Sequence, residues 1–466
     1  MLPHEFIRRT KDLLHDEYFA LEAALEAQQP PVSVRINPHK LTAVSEINFP
    51  AGGTSGEYKK IPWCGNGYYL SERPSFTSDP LFHAGAYYVQ EASSMFLEQA
   101  FLKIIADMPP LRRQLTALDL CAAPGGKSTH LLSLLPEGCL LVSNETIRNR
   151  SSILTENIIK WGRADNITTN NDPEDFGKLK HVFDIILADL PCSGEGMFRK
   201  NPAARNEWSI DNVKLCASRQ KRIIHNVWDA LRPGGWLIYS TCTFNTEENE
   251  DNIRCLAEEL GAEIVAVAVK PEWNIAVSLH HDIPVCRFFP HRTCGEGFFL
   301  ALMQKNEDAT EKNTIKTFKN NNRPAIAYTE IKHLLATPDK FRFFTDADSV
   351  YAIPDVHANI HAACAKTLNI VAAGIHLGRF KGKIFTPSVS LALSTEINPN
   401  AFISVELPYE NAIGYLQKEA VILPGNTPKG HLLMTYKNTP LGFVKNIGNR
   451  ANNLYPQEWR IRKRFF

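Results

Sequence analysis

Residues 117–128, ALDLCAAPGGKS, decide the fold. The apolar run at 117–120 predicts a strand, the small residues at 121–127 predict a loop, and 128–135 continues as a helix. A buried strand that passes through a glycine loop into a helix is typical of the first unit of a parallel, doubly wound sheet. We therefore expect a ligand-binding loop at 121–127.

The alternation of strands and helices continues to residue 303. We predict strands at 140–143, 166–169, 183–188 and 236–240, and helices at 151–161, 218–231 and 246–260. Asn245 is the expected N-cap of the last helix, with Glu248 three residues further on. Two more strands, at 263–269 and 297–303, are expected to form an antiparallel edge. The sequence therefore predicts an α/β fold built on a mostly parallel, doubly wound sheet.

Composition shifts divide the chain into five predicted regions. They are an N-terminal α+β accessory domain at 1–105, the α/β domain at 106–305, a polar linker at 306–325, an intermediate subdomain at 326–400 and a basic, β-rich domain at 401–466. Residues 1–28 are expected to form one amphipathic helix. A chain of 466 residues has room for about three domains of ordinary size, which agrees with this division.

The overall composition excludes several classes of protein. Hydrophobic residues make up 44% of the chain, so a disordered protein is not expected. No apolar run reaches the length of about 18 residues that spans a membrane. Because the N-terminus lacks the apolar core of a signal peptide, the 10 cysteines are expected to be reduced, in the cytoplasm. No Cys or His spacing matches a zinc site, and we expect no metal.

Acidic residues stand at the carboxyl ends of the predicted strands, where α/β sheets bind their ligands. Glu145 follows the second strand and lies 20 residues after Gly125, the spacing at which an acid binds ribose hydroxyls. Asp172, after the third strand, is placed for an adenine amino group, and Asp189 follows the fourth. These residues predict a nucleoside site.

A second hypothesis is a nucleotide triphosphatase. The loop ends in Gly126-Lys127-Ser128, as phosphate-binding loops do, and Asp189 would be the acid at a strand end. The first glycine of that motif, however, would fall at Cys121, and a phosphate-binding loop needs the backbone freedom of glycine there.

Two cysteines stand at the ends of neighbouring predicted strands: Cys192 in DLPCSGEG (189–196) and Cys242 in STC (240–242). We expect both sulfurs to face one cleft beside the nucleoside. A thiolate that adds to carbon 6 of a pyrimidine makes carbon 5 nucleophilic toward a methyl donor, and a second group must then remove the proton from carbon 5. The spacing alone does not decide which cysteine attacks.

Together, residues 121–127 (CAAPGGK), 189–196 and 240–242 resemble the motifs of the Sun/Fmu-type RNA cytosine-5 methyltransferase family. Residues 87–94 (YYVQEASS) and 192–202 (CSGEGMFRKNP) are similar to its RsmF-like branch, which modifies small-subunit ribosomal RNA. The resemblance implies a Rossmann-like core that uses S-adenosylmethionine, a C-terminal PUA-like RNA-binding module, and methylation of carbon 5 of cytosine in 16S ribosomal RNA.

The resemblance also implies a role for each site residue. Cys242 would be the carbon-6 nucleophile, and Cys192 would assist release of the methylated product. Asp189 would contact S-adenosylmethionine and the target base. The other residues that would hold S-adenosylmethionine are Cys121, Ala122, Ala123, Pro124, Gly125, Gly126, Lys127, Glu145 and Asp172. Leu190 stands where the family usually has Ala, and we expect it to point into the sheet.

The charge distribution indicates where RNA binds. Residues 326–466 hold 16 Lys and Arg against 10 Asp and Glu, whereas residues 1–325 hold 35 against 40, so the net charge of +1 is a cancellation. A basic region with aromatic residues is typical of RNA-binding surfaces. We expect a monomer that binds ribosomal RNA and does not bind a membrane. The expected RNA contacts are Arg35, Arg199, Lys200, Arg292, Lys445 and Arg462. A third hypothesis, a non-catalytic RNA-binding factor, leaves both cysteines without a role.

Overall fold

The computed structural model describes residues 1–27, 29–47, 58–108, 114–306 and 330–463, which form four β-sheets. Apart from residue 306, the predicted linker at 306–325 lies outside these ranges. Within them, no helix combines the length and the apolar character that crossing a bilayer requires.

The N-terminal region combines helices with a small antiparallel sheet. Residues predicted as one helix form α1 (His4–Leu14) and α2 (Tyr18–Glu26), separated by a 3-10 turn in which His15 has a positive φ of 50°. The sheet has the order β2-β3-β1-β4. Its strands and the two helices that follow are β1 (Val32–Ile36), β2 (Lys59–Lys60), β3 (Gly67–Leu70), α3 (Pro80–His83), β4 (Tyr87–Val89) and α4 (Leu97–Asp107).

The central sheet confirms the predicted doubly wound fold. Five parallel strands lie in the order β9-β8-β5-β6-β7, so the winding reverses between β5 and β8. The strands are β5 (Thr116–Asp119), β6 (Leu140–Asn144), β7 (Asn166–Thr169), β8 (Phe183–Asp189) and β9 (Leu231–Thr241). The helices between them are α5 (Gly126–Leu134), α6 (Arg148–Trp161), α7 (Pro173–Phe176), α8 (Pro202–Glu207) and α9 (Ile210–Val227).

Apolar side chains cover both faces of this sheet. In β8, Ile185 and Leu187 pack into one buried cluster, whereas Ile186 and Ala188 pack into another on the opposite face. All four are at most 1% exposed. A strand buried on both faces is the condition for a parallel sheet, and it explains why these strands appear in the sequence as continuous apolar runs.

An antiparallel edge extends the sheet beyond β9, as predicted. α10 (Glu250–Leu260) precedes β10 (Ala262–Val265), β11 (Cys286–Phe288) and β12 (Phe298–Lys305), and β12 inserts between β9 and β10. The predicted helix start at 246 is wrong, because α10 begins at Glu250, but the predicted pairing is present: Asn245 Oδ1 accepts a hydrogen bond from the Glu248 amide at 2.9 Å. Asn245 and Glu248 are also buried and hydrogen-bonded to the loop that follows β8.

The C-terminal region contributes a strand to the central sheet. β15 (Ile370–Ala373) pairs antiparallel with β7, so this sheet crosses the predicted boundary at 305–326. The predicted division at 400 stays a prediction. The other elements are β13 (Phe341–Asp346), β14 (Ser349–Pro354), α11 (Ala358–Thr367), β16 (Ile375–Lys381), β17 (Ile384–Pro387), α12 (Val389–Leu393), β18 (Ile403–Glu406), α13 (Tyr409–Leu416), β19 (Gly430–Tyr436), β20 (Thr439–Asn446) and β21 (Ala451–Asn453).

The prediction that Arg35 contacts RNA is wrong, because its side chain is buried between the N-terminal sheet and α5. It is 0% exposed and donates hydrogen bonds to Gln90 Oε1 at 2.9 Å, Thr129 Oγ1 at 2.6 Å and the Gly126 carbonyl at 3.2 Å. Its guanidinium also stacks on Trp161, 4.5 Å from the ring centre. Arg35 therefore joins the N-terminal domain to the helix that begins at the glycine loop.

This role predicts a stability defect in the Arg35→Ala variant. The substitution leaves buried acceptors unpaired and opens a cavity, so the free energy of unfolding should fall by about 2–4 kcal/mol, measured by chemical denaturation. The exposed Arg462 offers a matched control, because Arg462→Ala should change stability by less than about 0.5 kcal/mol. Unchanged stability of Arg35→Ala together with weaker RNA binding would contradict this interpretation.

Candidate active site

The predicted site residues meet at one edge of the central sheet. The loops after β5, β6, β8 and β9 all end there, because parallel strands direct their carboxyl ends to the same edge. Two adjoining cavities, of about 420 and 610 Å³, open at this edge and share Cys121, Asp189 and Cys242 in their walls. The edge coincides with the reversal between β5 and β8, which is where doubly wound sheets bind their ligands.

The glycine loop is held by the neighbouring strand and helix. Gly125 has a left-handed φ of 114° and precedes the first turn of α5. The loop backbone is fixed by three hydrogen bonds: the Ala122 amide donates to the Asn144 carbonyl at 2.8 Å, Arg150 to the Ala123 carbonyl at 2.8 Å and Asn157 to the Pro124 carbonyl at 2.8 Å. No sequence pattern indicated Arg150 or Asn157, because both contact the loop from the next helix.

The two acids predicted to bind the nucleoside line the larger cavity. Glu145 is 5% exposed, accepts a hydrogen bond from the Ile147 amide at 2.9 Å and lies 3.4 Å from Arg150. Asp172 caps α7 by accepting from the Glu174 amide at 3.1 Å. Each carboxylate therefore keeps one fixed hydrogen bond while it borders the cavity.

An ion pair connects the glycine loop to the end of β8. Lys127 Nζ lies 2.8 Å from Asp189 Oδ2, and Ser240 donates to Asp189 Oδ1 at 2.8 Å. Burial alone would lower the pKa of Lys127, but the charge of Asp189 outweighs it and the pKa is raised. Lys127 is therefore a fixed positive charge in the wall of the smaller cavity.

The two predicted cysteines lie side by side. Cys192 Sγ and Cys242 Sγ are 3.3 Å apart, each at the end of one of two adjacent strands. The hydrogen bond with Cys242, together with burial, holds the pKa of Cys192 well above its usual value. The two sulfurs therefore share one hydrogen bond, and Cys192 resists deprotonation.

Glu195 ties the two cysteine loops together. Its Oε2 accepts hydrogen bonds from the Thr243 hydroxyl at 2.7 Å and from the amides of Phe244 at 2.7 Å and Asn245 at 2.9 Å. The Gly196 amide donates to the Cys242 carbonyl at 2.7 Å, and a Cβ at this glycine would lie only 2.4 Å from that oxygen. The glycine is thus required by the close approach of the two loops.

A second buried carboxyl supports the same loops from behind. Glu248 accepts from the Ser193 amide at 3.0 Å, from Gln220 at 2.8 Å and from Asn245 at 2.8 Å. Burial raises the pKa of Glu248 to about 7. The sequence predicted Glu248 only as part of a helix cap, because its other partners, Ser193 and Gln220, are distant in the chain.

The residues predicted to contact RNA differ in their exposure and in their ion pairs. The prediction that Arg199 contacts RNA is wrong, because its side chain is 6% exposed and forms an ion pair with Glu296 at 3.1 Å. Arg292 is engaged by Glu17 in a surface ion pair, which an RNA phosphate would have to displace. Lys200 is exposed and lines the smaller cavity. In the C-terminal region Lys445 is half-buried and Arg462 is exposed, so both stay predictions.

Comparison with protein families gives three matches along the chain. The model described as 16S rRNA methyltransferase RsmB/F matches residues 108–304. The model for the N-terminal domain of 16S rRNA methyltransferase RsmF matches residues 2–92, and the model for the methyltransferase RsmF PUA domain matches residues 402–461.

Individual relatives agree with these matches. A ribosomal RNA small subunit methyltransferase F of Aliivibrio fischeri strain MJ11 is 31% identical over 98% of this chain and 97% of its own. The protein of the same description from Shigella boydii serotype 4 (strain Sb227) is 29% identical over 98% and 96%. A solved methyltransferase homolog from Pyrococcus horikoshii has a TM-score of 0.54 and 27% identity, and the match covers 65% of this chain and 94% of that structure.

The position of Glu195 predicts the effect of its removal. In Glu195→Ala the amides of Phe244 and Asn245 lose a buried acceptor, so the free energy of unfolding should fall by about 2–4 kcal/mol. Looser loops should also slow formation of a Cys192–Cys242 disulfide by an added thiol oxidant several-fold. Glu207→Ala removes an exposed glutamate in α8 and serves as the control. If Glu195→Ala kept the stability and the oxidation rate of the wild type, this would contradict the proposed role of Glu195 in holding the two loops together.

Proposed function

Because the chain belongs to the RsmB/F family of ribosomal RNA methyltransferases, which depend on S-adenosylmethionine, we propose that it methylates carbon 5 of cytosine in small-subunit ribosomal RNA. The observation that carries this proposal is the pair of sulfurs 3.3 Å apart in a cleft between two cavities. We also propose a monomer as the working unit.

The residues around the cavities fit S-adenosylmethionine. Asp119 lines the smaller cavity, and its Oδ1 is buried without a hydrogen-bond partner among the described residues. A buried carboxylate oxygen of this kind suits a cationic ligand. We propose that Asp119, Asp189 and the backbone of the glycine loop 121–127 hold the amino acid part, and that Glu145 and Asp172 hold the ribose and adenine. When bound, S-adenosylmethionine supplies the electrophilic methyl group.

Cys242 is the proposed nucleophile. The resemblance of residues 240–242 to the family motif supports this role for Cys242, which lines both cavities, whereas Cys192 lines only the larger one. Addition of the Cys242 thiolate to carbon 6 of cytosine forms a carbon–sulfur bond and moves electron density to carbon 5. Carbon 5 of this adduct is nucleophilic enough to accept a methyl group, whereas carbon 5 of free cytosine is not.

Cys192 has a complementary role in product release. After methylation, carbon 5 still carries its proton, and loss of that proton to water breaks the carbon–sulfur bond, releases Cys242 as a thiolate and restores the aromatic ring. Cys192 reaches the same cleft from the loop after β8 and contacts the departing sulfur, so it is the group proposed to assist this step by a hydrogen bond to that thiolate. The Glu195 and Glu248 hydrogen bonds keep the two sulfurs in register during both steps.

The target base must leave its stack before its carbon 6 can reach a thiol. Asp189 borders both cavities, and its two oxygens are fixed by Lys127 and Ser240. We therefore propose that Asp189 contacts both the cofactor and the flipped cytosine. Lys200 and the exposed basic residues of the C-terminal region, such as Arg462, are the proposed contacts to the RNA backbone.

The two competing hypotheses account for less. A nucleotide triphosphatase requires a glycine where Cys121 stands and gives no function to the cysteine pair. A non-catalytic RNA-binding factor would not need two thiols in contact at the carboxyl ends of adjacent strands.

The two cysteines should give opposite results when each is replaced. Cys242→Ala should abolish methylation, because no adduct forms at carbon 6. Cys192→Ala should form the adduct but fail to release it, leaving protein covalently attached to RNA. Incubation with ribosomal RNA and methyl-labelled S-adenosylmethionine, followed by a denaturing gel, measures both. A shifted band in Cys242→Ala but not in Cys192→Ala would reverse the assigned roles.

Asp119 predicts a pH dependence of cofactor binding. Burial raises the pKa of Asp119 to about 7, so its carboxyl is largely protonated at pH 6 and ionised at pH 8. A cationic ligand binds the ionised form more tightly, so affinity for S-adenosylmethionine should rise about tenfold over this range if only the ionised form binds. Titration calorimetry at both pH values measures it. The rise should vanish in Asp119→Asn, and an equal rise in that variant would exclude Asp119 as its source.

A further inference from the structure

Three potential metal ligands from distant parts of the chain converge beneath the glycine loop. Cys64 precedes β3, Glu98 stands in the first turn of α4, and His130 lies in α5. Cys64 Sγ is 3.8 Å from His130 Nε2, which is 3.1 Å from Glu98 Oε2. The side chains of His130 and Glu98 are 1% and 12% exposed, and Cys64 is 2% exposed. All three ligand atoms lie within 4.8 Å of one another.

Two of the three separations are close to those of a tetrahedral zinc site. Zinc bonds of about 2.3 Å to sulfur and 2.0–2.2 Å to nitrogen and oxygen place neighbouring ligand atoms about 3.4–3.6 Å apart. The two measured separations bracket that range, so His130 can share a zinc ion with Cys64 and with Glu98 after shifts of a few tenths of an ångström in each pair. His130 Nε2 is the ring nitrogen that faces both Cys64 Sγ and Glu98 Oε2, so it is the atom that would bind the metal, with the ring proton on Nδ1.

The local backbone keeps the three groups in place. Glu98 Oε1 accepts from the Gly65 amide at 2.9 Å, which leaves Oε2 facing the cluster. A Cβ at Gly67 would lie 3.1 Å from Cys64 Sγ, so glycine at this position leaves room for the sulfur. A site supported by hydrogen bonds behind its ligands is better organised for a metal than three side chains that merely lie close together.

We propose that Cys64, Glu98 and His130 bind one zinc ion, with the fourth position open to water or another donor. Binding forms a zinc–sulfur bond and releases the thiol proton of Cys64 to solvent. No redox step is involved. Because His130 follows the glycine loop in α5, whereas Cys64 belongs to the N-terminal domain, the ion would connect these two parts of the protein.

This proposal revises the expectation of no metal. That expectation rested on ligand spacing along the chain, whereas these three residues are 34 and 32 positions apart and meet only in the folded structure. The site is also independent of the methyl-transfer chemistry, so its test needs no activity measurement.

The experiment measures zinc retained by the full-length protein after removal of metal with a chelator, addition of Zn²⁺ and dialysis. Wild type should retain about one zinc per chain, and Cys64→Ser and His130→Gln should retain almost none. Cys286→Ala, which removes another buried cysteine, and Cys242→Ala, which removes one thiol of the reactive pair, should both retain zinc.

Cobalt keeps the test decisive if the ligand variants fold poorly. Co²⁺ added to metal-free Cys242→Ala should give the near-ultraviolet band of a thiolate–cobalt bond and the visible bands of a tetrahedral ion. Absence of zinc from wild type would overturn the proposal. Loss of zinc in Cys242→Ala would also overturn it and would assign the metal to the cysteine pair. Retention of zinc in Cys64→Ser would overturn it as well and would point to the cluster of Asp251, His280 and His281.

Discussion

The hydrogen bonds accepted by one oxygen of Glu195 are the interaction on which the reactive geometry depends. They join the loop after β8, which carries Cys192, to the loop after β9, which carries Cys242. Two loops that were free to move would not keep two sulfurs 3.3 Å apart. Since Glu195 is 2% exposed, the hydrogen bonds are shielded from water, and breaking them would leave two buried amides unpaired.

The sheet topology supplies the rest of the arrangement. Reversal of the winding between β5 and β8 separates the loops on either side and opens the cleft in which the cavities lie. The ion pair between Lys127 and Asp189 then spans this cleft and fixes the glycine loop after β5 relative to the loop after β8. The charged residues, the thiols and the cavity walls therefore come from one edge of a rigid sheet. Such an arrangement suits a methyl transfer, in which the RNA base and the methyl donor must be held in fixed positions relative to each other.

The sequence predicted the parts of this structure that depend on local pattern. The strand at Asn166–Thr169 has the predicted bounds, and Glu145 and Asp189 stand at the strand ends where periodicity placed them. Contacts between distant segments were not predictable in this way. Arg35 looked like a surface charge but is buried against α5, and Asn245, predicted only as a helix cap, also bonds to the loop of Cys192. Pairing of β15 with β7 and the convergence of Cys64 with His130 likewise depend on tertiary packing that no local pattern encodes.

The proposed reaction attaches the methyl group at carbon 5 of cytosine. Ribosomal RNA labelled with tritium at carbon 5 of its cytosines tests this directly, because methylation at that carbon must expel the tritium into water. Incubation with S-adenosylmethionine should release tritium in the same amount as methyl groups are incorporated. Incorporation of methyl groups without tritium release would place the modification on another atom and contradict the account.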